Sequence, residues 1–166
     1  MGSPLPEAAR EAVAAAESAT EALRGVAGAI RQRWPVDRAS LRVVDRSDER
    51  LVVVGVWSPD GTVLTEGTRI PLESTSYPEV VRTGGPIIFE SPDRAPSLID
   101  QIMLDEGLQS WAVIPLRDGG SIEALLALSA REPRTFTAED GPELTSLAET
   151  IQEDMLGLLT GGRSGG

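Results

Sequence analysis

The stretch Ser110-Trp-Ala-Val-Ile-Pro-Leu116, the turn Arg117-Asp-Gly-Gly120 and the run Ile122-Glu-Ala-Leu-Leu-Ala-Leu-Ser129 decide the fold. Two apolar runs of strand length joined by a Gly-Gly turn read as a β-hairpin. Both runs are apolar at successive positions, so neither has a polar face to give to water. Such a hairpin must be covered on both sides, by helices on one face and by lid elements on the other.

Outward towards the C-terminus, Thr135-Phe-Thr-Ala-Glu-Asp140 opens a helix. Thr137 with Asp140 makes a start like a capping box, and Asp140 before Gly141-Pro-Glu143 would cap equally well. Leu144, Leu147, Ile151, Met155 and Leu158 then recur at steps of three and four. Outward towards the N-terminus, Ser97-Leu-Ile-Asp-Gln-Ile-Met-Leu104 reads as a short helix and Ser91 to Pro96 as a Pro-marked loop. Ile87-Ile-Phe89 is a brief strand, and Tyr77-Pro-Glu-Val-Val-Arg82 is a second short helix stopped by Thr83-Gly-Gly-Pro86. Two short helices inserted between strands are how a sheet gains a lid. Before them, Ala39 to Asp45 and Leu51 to Trp57 form another hairpin around Arg46-Ser-Asp-Glu-Arg50, and Ser58-Pro-Asp-Gly61 turns the chain into a third strand through Thr62-Val-Leu-Thr65 and Arg69-Ile-Pro71.

The chain begins with one long helix, expected from Glu7 to Arg33 and ended by Trp34-Pro35. Ala9, Ala12, Ala16, Ala19, Leu23, Val26 and Ile30 make a seam at coiled-coil spacing. One apolar face suffices to pack a helix on its own domain. A strict seam of small residues also suits close contact between two copies, so self-association is the expectation.

Composition narrows the chemistry. The 166 residues predict one domain, and 15 basic against 26 acidic side chains give a net charge of −11. Such a field repels nucleic acid and anionic membrane surfaces, and no basic cluster opposes it. The chain has no Cys, His, Lys or Asn; all its bases are Arg. The joint loss of Lys and Asn reads as codon bias. Thiolate, imidazole and Schiff-base chemistry are thereby excluded, as are His-bearing metal sites, a haem ligand and a P-loop lysine. No run resembles a signal peptide or a membrane span, so the expected location is cytoplasmic.

Three stretches taken together resemble the GAF domain family. Tyr77-Pro-Glu-Val-Val-Arg-Thr-Gly-Gly-Pro-Ile-Ile88 is similar to its helix, Thr-Gly-Pro-like turn and short strand. Gly107 to Leu116 resembles its Gly-x-x-Ser-apolar-Pro-Leu strand, and Ile122 to Asp140 its next strand and Arg-x-Phe-Thr-x-x-Asp helix start. Glu123 departs from the usual Gly. The resemblance implies an α+β, GAF/PAS-like antiparallel sheet of five to six strands. Terminal helices would cover one face, and short lid helices a small-molecule cavity on the other. It implies residues 1–36 as a dimerisation and signalling helix and 37–159 as the sensory domain, while the linker composition of Gly161-Gly-Arg-Ser-Gly-Gly166 reads as a flexible tail over 160–166. The resemblance further implies a ligand-sensing regulatory module that relays binding through dimeric terminal helices to an effector such as a kinase, phosphatase or transcription regulator. The alternative is a dimerisation or protein-interaction module whose pocket has collapsed. The bilin, haem and sulfoxide-reducing subtypes depend on Cys or His, and the Asn-Lys-Phe-Asp-Glu signature of cyclic-nucleotide binders cannot occur here.

The residues expected to line the cavity are Trp57, Tyr77, Ile88, Ile102, Met103, Trp111 and Val113, with ordinary core as the competing reading. Ala12, Ala16, Ala19, Leu23, Ile151, Met155 and Leu158 are expected at the dimer interface. Arg69, Arg82 and Arg94 are candidates to neutralise an anionic ligand, and Glu90 with Asp93 or Asp105 with Glu106 are the nearest to paired carboxylates. No phosphate-cradling Gly motif and no Gly-x-Ser-x-Gly occurs. The expectation is a domain that is not an enzyme, with no catalytic residue, no metal and no cofactor.

Overall fold

The computed structural model describes residues 5–91 and 97–164, with side chains described as far as residue 159. The Pro-marked loop, with Asp93 and Arg94, lies outside the described residues except at Ser91.

The N-terminal segment is two helices, α1 (Leu5–Ala15) and α2 (Ala19–Ile30), where one was expected. The break has a local cause. Ser18 is extended (φ −147°) and its hydroxyl accepts from Glu21 N–H at 3.1 Å, while the Glu21 carboxylate accepts from Glu17 N–H at 3.4 Å. A Ser with Glu three residues on restarts a helix by satisfying orphan N–H groups at its end. The chain folds back at this point, and Ala12 comes against Gly25, where an added Cβ would lie 2.7 Å from Ala12 Cβ. Gly25→Leu is therefore expected to cost about 1–3 kcal/mol of overpacking, more than the helix propensity it gains. Limited proteolysis would show α1 cut earlier than in the parent chain. Unchanged protection would mean the helices do not pass so closely.

Six antiparallel strands follow: β1 (Arg38–Asp45), β2 (Arg50–Trp57), β3 (Arg69–Pro71), β4 (Ile87–Phe89), β5 (Ser110–Asp118) and β6 (Ser121–Ala130), in the sheet order β3-β2-β1-β6-β5-β4. The third strand is shorter than expected, because Thr62 and Val63 leave the ladder to bind a carboxylate: Thr62 Oγ1 and Val63 N–H both donate to Glu106, at 2.7 and 2.8 Å. Two lid helices, α3 (Tyr77–Thr83) and α4 (Leu98–Asp105), lie between strands. Gly84 closes α3 at φ 78°, a conformation few other residues adopt cheaply. Helix α5 (Gly141–Ser164) begins behind a reciprocal Thr137–Asp140 capping box and runs into the segment expected as a tail.

Both faces of the central hairpin are covered. Ala112, Ile114, Leu116, Leu126 and Leu128 face Leu23, Val26, Ile30, Leu144, Leu147, Ile151 and Met155 of α2 and α5 in one core. Burying each large aliphatic there contributes about 1.5–3 kcal/mol. Trp111, Val113 and Leu125 face the lid in a second core with Val80, Ile99, Met103 and Leu108.

The expected dimer residues have a different place from that read in the sequence. Leu23, Ile151 and Met155 are wholly buried within one chain, Ala19 is buried against Gly55, Ala12 lies against Gly25, and Ala16 and Leu158 pack on the helix-side core. The small-residue seam is consumed by the turn-back of α1 and by the sheet. Spacing alone does not distinguish contact with a second copy from this intrachain packing.

Candidate functional site

Strand alternation sorts the expected cavity residues. Tyr77, Ile102, Met103, Trp111 and Val113 gather in the lid-side core. Trp57 and Ile88 do not: both pack on the helix-side core, and it is the neighbours of Ile88, Ile87 and Phe89, that face the lid. Met103, Trp111 and Val113 are fully buried against this core, so the centre of the lid side is packed. The Phe89 and Trp111 rings lie 5.1 Å apart and tilted by 34°.

Beside this core opens a cleft of about 480 Å³ between α3, β4 and the start of α4. Ile87, Phe89 and Pro78 form its apolar wall; Thr75, Ser76 and Ser97 bring hydroxyls, and Glu73, Glu79 and Asp100 bring carboxylates. Among the described residues, no arginine lines it. Asp100 lies in its wall with 0% of its surface exposed. Trp111 Nε1–H donates to Asp100 Oδ1 at 3.0 Å, and the hydroxyls of Ser97 and Ser76 donate to Oδ2 at 2.6 and 3.3 Å. Ser76 and Ser97 are the N-caps of α3 and α4. One buried carboxylate therefore fastens the starts of both lid helices to β5.

Behind Asp100 stands Arg42, 2% exposed, in the middle of β1. Its Nε–H donates to Ser40 Oγ at 3.1 Å and its Nη2 to Met103 Sδ at 3.7 Å. Burial pushes this guanidinium down to about 10, opposed by the attraction of Asp100 and aided by the repulsion of Arg38. The group stays charged at neutral pH, and the Asp100 carboxylate is the charge opposing that loss. Neither Arg42 nor Asp100 was singled out from the sequence. The usable signals were a lone charge inside the apolar run Leu41-Arg-Val-Val44 and the Ser97-x-x-Asp100 cap.

Arg38, on the same strand, extends the polar row to the far end of α4. Its Nη1 lies 2.7 Å from Glu106 Oε1, an ion pair without hydrogen-bond alignment, while Nε and Nη2 donate to Ser58 Oγ and Gly61 O, both at 3.2 Å. Burial works to raise Glu106, but the Thr62 hydroxyl, the Val63 N–H and Arg38 hold it below its ordinary 4.5. A carboxylate lowered by folding stabilises the fold above its unfolded value, and that share disappears as pH falls through the lowered one. Glu106→Gln is thus expected to flatten the acid limb of unfolding free energy against pH just below 4.5. Asp45, held near 2 by Arg69, Ser47 and the Asp48 N–H, keeps its own share to lower pH. A limb of unchanged slope in the variant would dismiss the Glu106 assignment.

The other candidates are spread apart. Arg69 binds Asp45 and Asp48 at 2.8 and 2.7 Å, and Arg82 pairs with Glu79. Glu90 Oε2 accepts from Ala138 N–H at 2.9 Å; Asp105 accepts from Gln101 Nε2 at 2.8 Å on the surface, turned away from Glu106. Among the described residues, no group of three or more carboxylates is placed to hold a metal ion, and no helix is long and apolar enough to cross a membrane.

The family model of the GAF domain matches this chain over residues 16–153. The chain belongs to the GAF domain family. This GAF domain is similar in structure to that of a phosphoenolpyruvate-protein phosphotransferase from Coxiella burnetii, at TM-score 0.74 and 18% identity, covering 96% of this chain and 95% of that one. It is also similar to the GAF domain of a two-component sensor histidine kinase from Bacillus halodurans (0.62, 20%, covering 76% and 86%). The free methionine-R-sulfoxide reductase of Neisseria meningitidis, solved with its substrate, matches at TM-score 0.70 and 20% identity, covering 95% and 89%. No curated protein is similar to the chain in sequence. The reductase corrects the expectation that this chain is not an enzyme. The same fold carries an enzyme, and the residue inventory removes only chemistry that needs Cys, His or Lys, leaving carboxylates such as Asp100 and Glu106.

Proposed function

We propose that this GAF domain is a regulatory, ligand-sensing module whose lid-side cleft takes a small molecule bearing an amino group on an apolar body. The observation that carries this is Asp100, buried at the cleft and tying both lid-helix starts to Trp111. An ammonium group is a donor of the charge that suits the cleft's carboxylates and hydroxyls, and Ile87 and Phe89 suit the body that carries it. Binding at Asp100 Oδ2 competes with the Ser76 and Ser97 hydroxyls, so the ligand favours an altered seating of α3 and α4. It shifts the domain only by its difference in affinity for the two seatings. The strands under the lid also carry α2 and α5, which gives the change a route to an effector domain in the cytoplasm.

The experiment is native mass spectrometry of the freshly purified chain, followed by thermal shift with a set of primary amines. A retained mass, or a shift with an amine that is lost in Ile87→Arg, supports the reading. A bare chain indifferent to every amine would sink it. That outcome favours the second reading, a dimerisation or partner-docking module with a filled pocket, which draws support from the complete burial of Met103, Trp111 and Val113. A dimer would then use exposed helical surface, since Leu23, Ile151 and Met155 are already covered.

A further inference from the structure

On the helix side of the sheet, opposite the lid, a groove of about 570 Å³ runs between the second half of α2, the 35–37 connector and the turn after β2. Trp57 lines it. Of the three tryptophans, Trp34 and Trp111 are buried to 1% and 0% exposure, and only Trp57 is part-exposed. Arg24 of α2 and Arg31, which caps the end of α2, lie along the groove. They are seven residues apart, hence on one helical face and separated by about 10 Å along the axis.

These two arginines are unusual in this chain. Of the arginines among the described residues, only Arg24, Arg31 and Arg134 have side chains without a hydrogen bond or ion pair, although acids outnumber bases 26 to 15. Two of the three line this groove. The acids beside them are engaged elsewhere: Arg131 N–H donates to Asp37 Oδ2 at 2.8 Å and Arg131 Nε–H to Asp60 Oδ2 at 3.2 Å. Between the arginines stands Gly28, where an added Cβ would meet nothing within 4 Å. A glycine in the last turn of α2 weakens the helix. Here it leaves the floor of the groove clear between two free guanidinium groups and an indole.

We propose that this groove binds a planar aromatic carboxylate, its ring against Trp57 and its carboxylate held by Arg24 or Arg31. The volume suits a small ligand, guanidinium groups pair with carboxylates, and an indole face stacks on a ring. The site is separate from the lid-side cleft and stands whether or not that cleft is occupied.

The test uses the full chain and calorimetric titration with 2-naphthoate, beside the neutral 2-naphthalenemethanol. Saturable binding of the carboxylate is expected, at least about tenfold tighter than the alcohol, as loss of a charge-assisted pair predicts. It should weaken about tenfold in the Arg24→Ala, Arg31→Ala double variant and vanish in Gly28→Leu. The Gly28→Leu variant fills the groove at a position with open space and a gain in helix propensity, so its melting temperature should not fall. Acrylamide quenching of the Trp57 emission should drop on binding. No binding of 2-naphthoate at millimolar concentration, equal affinity for the alcohol, or binding unchanged in Gly28→Leu would each overturn the proposal. A groove that instead holds a second copy would show as a dimer lost in Gly28→Leu with no naphthoate affinity, and that result overturns it too.

Discussion

Asp100→Ala is expected to lose about 3–5 kcal/mol of folding stability, because it strips a buried acceptor from three donors and leaves the buried charge of Arg42 without the carboxylate whose field opposes its burial. Trp111 Nε1–H loses its acceptor, the caps of α3 and α4 lose their shared anchor, and Arg42 is left buried with its main opposing charge gone. For a chain of this size the melting temperature should fall by roughly 2–4 °C per kcal/mol. Asp100→Asn is the milder variant, because the amide oxygen still accepts while the charge is lost. The decisive comparison is Arg42→Met alone and combined with Asp100→Ala. Replacing both of two opposed buried charges by apolar side chains is often tolerated where removing one is not. Arg42→Met should therefore recover part of the loss in the double variant. Strictly additive effects, measured by urea unfolding, would show that Asp100 and Arg42 do not act as a pair.

Trp111→Ala carries the second large effect, about 3–5 kcal/mol, the usual range for deleting a large buried aromatic. The ring is wholly buried in the lid-side core and meets Phe89, and its N–H is one of three donors to Asp100. Trp111→Phe separates the two contributions. It retains most of the apolar volume and removes only the donor, so it should cost about 1–3 kcal/mol. On the reading of the cleft given above, Trp111→Phe should also tighten binding of an amine at Asp100, since one competing donor is gone. A phenylalanine variant as unstable as the alanine one would mean that ring shape, not the hydrogen bond, holds Trp111 in place.

Much of the fold is legible in single stretches. The β5–β6 hairpin is written in two apolar runs around Gly119-Gly120, and the start of α5 in Thr137 and Asp140, because strand alternation and helix capping are set by neighbours a few residues apart. The same local rule, Ser18 with Glu21, marks the break between α1 and α2. The continuous apolar spacing across it masks that mark, since a helix that turns back keeps an apolar face on both sides of the turn.

The candidate site is legible only in part. Of the residues expected at the cavity, Tyr77, Ile102, Met103, Trp111 and Val113 lie on the lid side, while Trp57 and Ile88 fall on the other. In a three-residue strand such as β4, a shift of one residue in phase sends a side chain through the sheet. A brief apolar run does not fix that phase.

By itself the sequence determined the composition-bound chemistry, the two-sided burial of the central hairpin and the caps, because each rests on side-chain type and short-range geometry. Tertiary structure alone decided that the N-terminal seam is spent within one chain. It also decided that Asp100 meets Trp111, Ser76 and the field of Arg42, and that Arg24, Arg31 and Trp57 share a groove. These groups come from separate strands and helices. Their meeting depends on which face each element buries, and that is fixed by the packing of the whole sheet rather than by any one segment.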